Sequence, residues 1–140
     1  MDDLDRQILR LLAENARMPV KDIARQVALT SPAVSSRIRK LEQEGVIRSY
    51  TVVLQPADKN LVNALISISV PPAQRETLTA MLQGEPQVLQ CFHVTGSHSF
   101  IAKVSCRDMA ALEHLITQFQ SMGQTSTQII LSTPVDRKTY

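Results

Sequence analysis

A tight connection between two helical segments constrains this chain more than any other feature of its sequence. A short apolar stripe at helical spacing comprises Ile23, Ala24 and Val27. Only residues 28–29 separate this stripe from Thr30, a residue type that favours the N-cap of a helix. The next helix is predicted to begin there, with a proline in its first turn, and to end before Gly45. A short helix, a tight turn and a longer helix together predict a helix-turn-helix.

The two sides of this longer helix differ in chemistry. When the residues are turned by 100° per step, Val34, Ile38 and Leu41 cluster on one side and are predicted to face a core. The outward side carries Pro32, Ser35, Ser36, Arg39 and Lys40, and Arg37 lies at its border. Small side chains allow a helix to approach base edges, and cations beyond them reach phosphates. The alternative interpretation is the solvated face of an ordinary surface helix.

The distribution of charge favours a polyanion partner for the first third of the chain. Residues 1–50 hold nine basic and seven acidic residues, whereas residues 51–140 hold six of each. Between Thr30 and Leu41 there are three cations and no acid. The border position of Arg37 also suits a role in packing or in an ion pair. We therefore interpret residues 1–50 as a DNA-binding domain.

Another helix and a strand are predicted on either side of the helix-turn-helix. Leu4, Ile8, Leu11 and Leu12 recur at helical spacing after an acidic start that suits a helix N-terminus. Residues 46–54 alternate and predict a strand, with Arg48 at its root as a candidate phosphate contact. Residues 55–61 form a polar hinge with a proline, so residues 51–61 are interpreted as a strand and hinge linker.

The pattern over residues 62–140 predicts a second domain. Strands are expected over residues 62–70, 88–95, 100–106 and 126–133. One helix is expected around residues 78–82. Another follows Asp108, and its predicted buried face comprises Met109, Leu112, Leu115, Ile116 and Phe119. The order βαββαβ predicts a ferredoxin-like, α+β domain whose four-stranded antiparallel sheet carries both helices on one face. The other face is too apolar to leave bare, which predicts a homodimer.

Features typical of enzymes, metal sites and export are not found. Cys91, His93, His98 and Cys106 lie within sixteen residues, but their spacing lacks the ligand pairs of zinc sites. We find no catalytic constellation and expect no cofactor. The polar start and the short apolar runs predict neither a signal peptide nor a membrane span, and hence a cytoplasmic protein with reduced thiols.

Three motifs carry a resemblance over essentially the whole chain. LDRQILRLLAENAR, IARQVALTSPAVSSRIRKLEQEGVIRSY and VTGSHSFIAKVSC resemble the Lrp/AsnC, or feast/famine, family of transcription regulators. The resemblance implies a winged helix-turn-helix followed by a RAM-type amino-acid-sensing domain, in dimers that often assemble into octamers. The groove-facing positions that it implies are Ser31, Ser35, Ser36, Arg37, Arg39 and Lys40.

Two departures from the family pattern bear on the turns. Relatives usually have glycine where this chain has Ala28. Amino-acid sensors often follow Thr-Gly with acidic and aromatic residues, whereas this turn has no carboxylate to meet an ammonium group. Candidate effector-binding residues are Gly96, Ser97, His98, Ser99, Thr125 and Thr127. The effector is then a different amino acid, another small molecule, or none.

Three functions remain open on the sequence. The first is a sequence-specific, DNA-binding transcription regulator that a small amino-acid-like effector modulates at the oligomer interface. The second is an architectural DNA-binding protein without an effector, which the missing carboxylate favours. The third is a metabolite-binding module whose helix-turn-helix contacts protein instead of DNA.

Overall fold

The computed structural model describes residues 1–54 and 60–136 of the chain. The chain divides into two compact units after Leu54. Most of the predicted hinge falls on residues 55–59, which lie outside the described residues. Among the described helices, none is long and apolar enough to cross a membrane.

Three helices form the first unit, as the sequence predicts. They are α1 (Asp3–Glu14), α2 (Val20–Gln26) and α3 (Ser31–Gln43). Their shared core consists of Ile8, Ile23, Ala24, Val27 and Val34, and Leu41 is buried as well. These positions are the apolar stripes of the sequence, so burying them fixes how the three helices pack.

The strand predicted over residues 46–54 is not formed in this chain. After α3 the backbone turns at Gly45, which has φ +70°, and then continues without regular structure to Leu54. Its side chains at Val52, Val53 and Leu54 are exposed, and that of Leu54 keeps 79% of its surface in contact with solvent. A strand needs a hydrogen-bonding neighbour, and the first unit supplies helices alone in its described residues. The alternating pattern is therefore present without the pairing that would make it a strand.

The second unit has the predicted order βαββαβ. Its elements are β1 (Val62–Ser69), a 3₁₀ turn (Pro72–Gln74), α4 (Arg75–Gly84), β2 (Val88–His93), β3 (Phe100–Cys106), α5 (Met109–Gln120) and β4 (Gln124–Ile129). All strand pairs are antiparallel, in the order β2-β3-β1-β4. This arrangement confirms the ferredoxin-like fold.

The bounds of two strands and the burial of one residue differ from the prediction, since β2 ends at His93 instead of residue 95 and β4 ends at Ile129 instead of residue 133. Strand β4 begins at Gln124, two residues earlier than expected, because Gly123 lies directly against the end of β1. A side chain there would overlap the carbonyl oxygen of Ser69, so glycine lets the chain join the sheet at once. Met109 was predicted to be buried and is exposed, since α5 begins at this residue and its first buried side chain is Leu112.

The two faces of the sheet are different in character. The face under α4 and α5 holds the core, which includes Ala64, Ile66, Ile68, Phe100, Ala102, Val104, Leu78, Leu112, Leu115 and Phe119. The open face carries Leu65 between Lys103 and Gln128, and Ser67 beside Ile101, which in turn pairs with Phe92. The open face thus mixes apolar and polar side chains, with Ile101 and Phe92 side by side and Leu65 between two polar residues.

Candidate nucleic-acid interface and effector turn

Helix α3 is fixed in the first unit by a cap and by one buried side. Thr30 Oγ1 accepts a hydrogen bond from the backbone N–H of Ala33 at 3.4 Å, which satisfies one of the free donors of the first turn. Val34 and Leu41 are buried and Ile38 is half-buried against the same core. The packing of these side chains therefore determines which side of the helix faces solvent.

Most of the candidate DNA-binding side chains lie on this outward side. Ser31, Ser36, Arg39, Lys40 and, beyond the helix, Arg48 are exposed, while Ser35 is half-buried. Lys40 Nζ lies 3.8 Å from Glu44 Oε1, but its side chain remains 68% exposed. A pair of this length one turn apart is weak in water, so Lys40 stays available for another anion.

Arg37 differs from these cations because two carboxylates engage its guanidinium. Its Nη1 donates to Asp2 Oδ2 at 2.7 Å and to Asp5 Oδ1 at 2.8 Å, both at the start of α1. The two carboxylates raise the pKa of the guanidinium further. Backbone N–H groups, followed by Arg37, hold the pKa values of Asp2 and Asp5 below their usual range. The sequence offered an ion-pair role for Arg37 but did not identify its two partners.

The turn after α3 contains a polar contact that sequence reasoning missed. The hydroxyl of Tyr50 donates to Glu42 Oε1 on α3 at 2.7 Å. Partial burial and the neighbouring carboxylate raise the pKa of Tyr50 to about 12. The contact holds the segment after Gly45 against the end of α3, near Arg48.

The candidate effector turn is attached to the end of β1. Ser69 Oγ donates to the carbonyl oxygen of Ser97 at 3.0 Å, and the N–H of Ser99 donates to the carbonyl oxygen of Ile68 at 3.1 Å. Ser97 Oγ lies 3.2 Å from His98 Nδ1. Gly96 has φ +120°, a conformation that glycine adopts without strain. These contacts bring the four candidate residues of the turn together in a defined shape.

Thr125 and Thr127 do not join this turn on the same face of the sheet. Thr125 pairs with Ile68 and Thr127 with Ile66, so both threonines face the helix-covered side. Ser69, which contacts the turn, points to the open side. Within one chain the two groups of candidate residues are therefore on different faces.

The cysteine and histidine residues show no metal-binding arrangement. Cys91 and Cys106 are free thiols, and burial is the main cause that raises the pKa of each. His93 stacks on Phe100 with ring centroids 4.8 Å apart. In residues 1–54 and 60–136, no three His, Cys, Asp or Glu side chains are grouped so that they could hold a metal ion.

Comparison with known proteins identifies the family. A model of winged helix-turn-helix DNA-binding domains matches residues 1–48, and the Lrp/AsnC ligand binding domain matches residues 63–140. The transcriptional regulator LrpA of Mycobacterium tuberculosis is 32% identical over 137 residues, covering 95% of this chain and 91% of LrpA. The chain belongs to the Lrp/AsnC family. It is a DNA-binding transcription regulator of that type.

Solved structures agree with this Lrp/AsnC assignment along nearly the whole chain. Escherichia coli AsnC is 29% identical with a TM-score of 0.90, covering 99% of this chain and 97% of AsnC. A feast or famine regulatory protein from Mycobacterium tuberculosis, complexed with L-methionine, is 31% identical with a TM-score of 0.90, covering 99% and 97%. The predicted order of a helix-turn-helix and a ferredoxin-like domain is thereby confirmed.

The turn of the Lrp/AsnC helix-turn-helix explains the first departure noted in the sequence. Ala28 has φ +53°, in the left-handed region where a side chain is unfavourable. The turn is closed by the N–H of Leu29, which donates to the carbonyl oxygen of Ala24 at 2.9 Å. The backbone thus requires the conformation that glycine supplies, and this chain adopts it with alanine.

Proposed function

We propose that this Lrp/AsnC regulator places the outward side of α3 in the major groove of double-stranded DNA and reads sequence there. The supporting observation is the order of side chains along that side, all of them exposed except the half-buried Ser35. Small hydroxyl residues come first, at Ser31, Ser35 and Ser36, and the cations Arg39 and Lys40 follow. Small residues permit close approach to base edges, and the cations with Arg48 contact phosphates on either side.

Selection from a pool of random DNA duplexes tests sequence reading. The wild-type protein is expected to enrich one motif, arranged as a two-fold repeat. Ser36→Gln places a long side chain in the groove and is expected to change or abolish that motif. Ser121→Gln, at an exposed serine of the second unit, is the matched control and should leave it unchanged. The same motif from Ser36→Gln and wild type would contradict the proposal.

The proposed functional form is at least a homodimer, assembled through the open faces of two sheets. Leu65, Ile101 and Phe92 lie on that face among polar side chains, a composition typical of a subunit interface. Phe92→Lys is expected to yield monomers in light scattering. Met109→Lys changes a side chain that is similarly exposed, 55% against 51%, but lies on a helix away from that face. A wild-type protein that is monomeric at micromolar concentration would refute the dimer.

The proposed effector is a small amino-acid-like molecule bound beside the turn at Gly96. A relative complexed with L-methionine supports this class of ligand. The hydroxyls of Ser97 and Ser99 and the ring of His98 offer polar partners, but no carboxylate for the ammonium group. Thr125 and Thr127 face the helix-covered side of the sheet, so the site beside the turn is proposed to use the turn residues and not the two threonines.

Thermal melting against each of the twenty amino acids tests the effector. A ligand at about a hundred times its dissociation constant stabilises the folded state by ~2.7 kcal/mol. We expect one or a few amino acids to raise the melting temperature, and Ser97→Ala with Ser99→Ala to remove the effect. No shift with any amino acid would favour the alternative, an architectural DNA-binding protein without an amino-acid effector. In either form the protein is proposed to act in the cytoplasm and to catalyse no reaction.

A further inference from the structure

The N-terminus of α1 is joined to the recognition helix α3 by a closed set of polar contacts. Asp2 Oδ1 accepts from the N–H of Asp5 at 2.8 Å, and the N–H of Asp2 donates to Asp5 Oδ2 at 3.0 Å. This reciprocal pair is a capping box for α1. The remaining oxygen of each carboxylate receives Arg37 Nη1, at 2.7 Å and 2.8 Å. One guanidinium therefore bridges a cap and a helix that are more than thirty residues apart.

This cluster is partly withdrawn from water. The side chain of Asp5 is only 12% exposed and that of Arg37 is 31% exposed, whereas that of Asp2 is 54% exposed. A carboxylate in such surroundings needs a partner, because removing it from water penalises its charged form. Arg37 supplies that partner to Asp5 and to Asp2 together, and it is more constrained than the cations further along α3.

The cluster also lies on the side of α3 that is assigned to DNA. Asp2, Asp5 and Arg37 line an open groove of about 530 Å³ together with Ser36 and Lys40. Two carboxylates at this place would repel the phosphates that Lys40 is proposed to contact. Arg37 offsets that repulsion as long as it stays between them.

We propose that Arg37 is a positioning residue for DNA binding and does not itself contact phosphate. It fixes the start of α1 against α3 and offsets the negative charge of the two carboxylates. Ser36 and Lys40 then contact DNA in the correct position and in a less negative electrostatic potential. The inference rests on the proposed function of α3. For Arg37 to reach a phosphate it would have to abandon two charge-assisted hydrogen bonds and leave both carboxylates without their cation.

A double-mutant cycle on the full chain separates positioning from direct contact. The affinity for a random-sequence duplex is measured over a series of salt concentrations for wild type, Arg37→Met, Asp2→Asn/Asp5→Asn and the combination. Arg37→Met is expected to weaken DNA binding about tenfold. A loss of this size is within the range of coupling energies measured between residues of one hydrogen-bond network. The slope of log affinity against log salt should change by clearly less than the roughly 0.9 per protomer of a lost phosphate contact, because only the repulsion from the two carboxylates is altered. With both aspartates replaced, Arg37→Met should have almost no effect, because the carboxylates through which it acts are gone.

Two results would overturn the inference. One is a fall in the salt slope of about 0.9 per protomer on Arg37→Met, with the same loss of affinity in both backgrounds, which marks a direct phosphate contact. The other is wild-type affinity for Arg37→Met. Thermal melting shows whether Arg37→Met folds, and if it does not, Arg37→Lys takes its place. Arg37→Lys is expected to lose less DNA affinity, and this loss should vanish when both aspartates are replaced. A loss that persists without the aspartates would also overturn the inference.

Arg39→Ala shows whether a failed test refutes the role of Arg37 or the proposed binding of DNA by α3. That variant removes an exposed cation with no carboxylate partner in this network and should lower the salt slope. An Arg39→Ala slope equal to wild type would count against DNA binding by this face of α3 as a whole. A slope lowered by about 0.9 per protomer for Arg39→Ala and equally for Arg37→Met would preserve the function and refute positioning alone.

Discussion

Replacing Ala28 by glycine is expected to stabilise the DNA-binding unit. The backbone at Ala28 has φ +53°, where an L-residue costs roughly 1–2 kcal/mol. Glycine removes that cost but gives the unfolded chain more freedom, which opposes folding by about 0.4–1 kcal/mol. The side chain of Ala28 is exposed, so no buried contact is lost. The difference between these two ranges runs from about 0 to about 1.6 kcal/mol, and its centre is a net stabilisation of about 0.8 kcal/mol.

Urea unfolding followed by the far-ultraviolet circular dichroism of the helices measures this gain. With a slope near 1 kcal/mol per molar, the midpoint of the first unit should rise by about 0.8 M while the slope stays constant. Ala24→Gly is the matched control, because it makes the same substitution at a buried position inside α2. It should destabilise the unit by about 1 kcal/mol from helix propensity alone, with a further loss from the missing methyl group.

Ala28→Gly is expected to raise the urea midpoint and Ala24→Gly to lower it. If Ala28→Gly lowered the midpoint as Ala24→Gly does, the left-handed backbone at the turn would not be a source of strain. An unchanged midpoint would mean that the freedom gained by the unfolded chain offsets the relief in full.

Three further predictions concern caps, glycine and acid. Gly123→Ala should destabilise the second unit in urea, since the added Cβ overlaps the carbonyl oxygen of Ser69; a stable variant would refute the close approach. Asp108→Ala removes the 2.7 Å cap of α5 and should cost about 1 kcal/mol, whereas Asp108→Asn should cost less. The pKa values of Asp2 and Asp5 are lowered on folding, so their stabilisation is present above about pH 4 and disappears as the pH falls through the folded values. Acid titration of the Asp2→Asn/Asp5→Asn variant should show a flatter loss of stability, and an unchanged profile would contradict this origin.

The order of the elements was predictable because local signals and burial agree. Thr30 and Asp108 cap their helices as expected, and Gly45 adopts the positive φ that its place after α3 requires. The βαββαβ order followed from changes between a period of two and a period near four along the chain. The glycine that relatives usually carry at position 28 marked this turn as unusual, and the structure shows that the backbone at Ala28 has a positive φ.

Contacts between distant residues were the part that the sequence did not reveal. The acidic start of α1 is visible in the sequence, but the contacts of Asp2 and Asp5 with Arg37 depend on how α1 and α3 pack. For residues 46–54 the sequence predicted a strand that the structure does not form. An alternating pattern becomes a strand only where a neighbouring strand is present to pair with it. Periodicity indicates which residues of a helix or strand share one face, and it does not indicate which element packs against that face.

The relation between the effector residues also required the sheet register. The turn at Gly96 and the pair Thr125 and Thr127 were grouped because backbone amides of the turn and the nearby hydroxyl groups suit the carboxylate and the ammonium group of an amino acid. The pairing of Thr125 with Ile68 places the threonines on the helix-covered face. Only the alignment of β4 with β1 decides this, because a shift by one residue would move both side chains to the other face.

The salt dependence of DNA binding tests the central claim most directly. Affinity for a duplex is measured over a range of salt concentrations for wild type, Arg39→Ala, Lys40→Ala and Arg107→Ala, the last at an exposed cation of the second unit. If α3 meets phosphates with its outward side, each of the first two substitutions lowers the slope by about 0.9 per protomer and the third leaves it unchanged. Slopes that match wild type in Arg39→Ala and Lys40→Ala would contradict the assignment of this face to DNA.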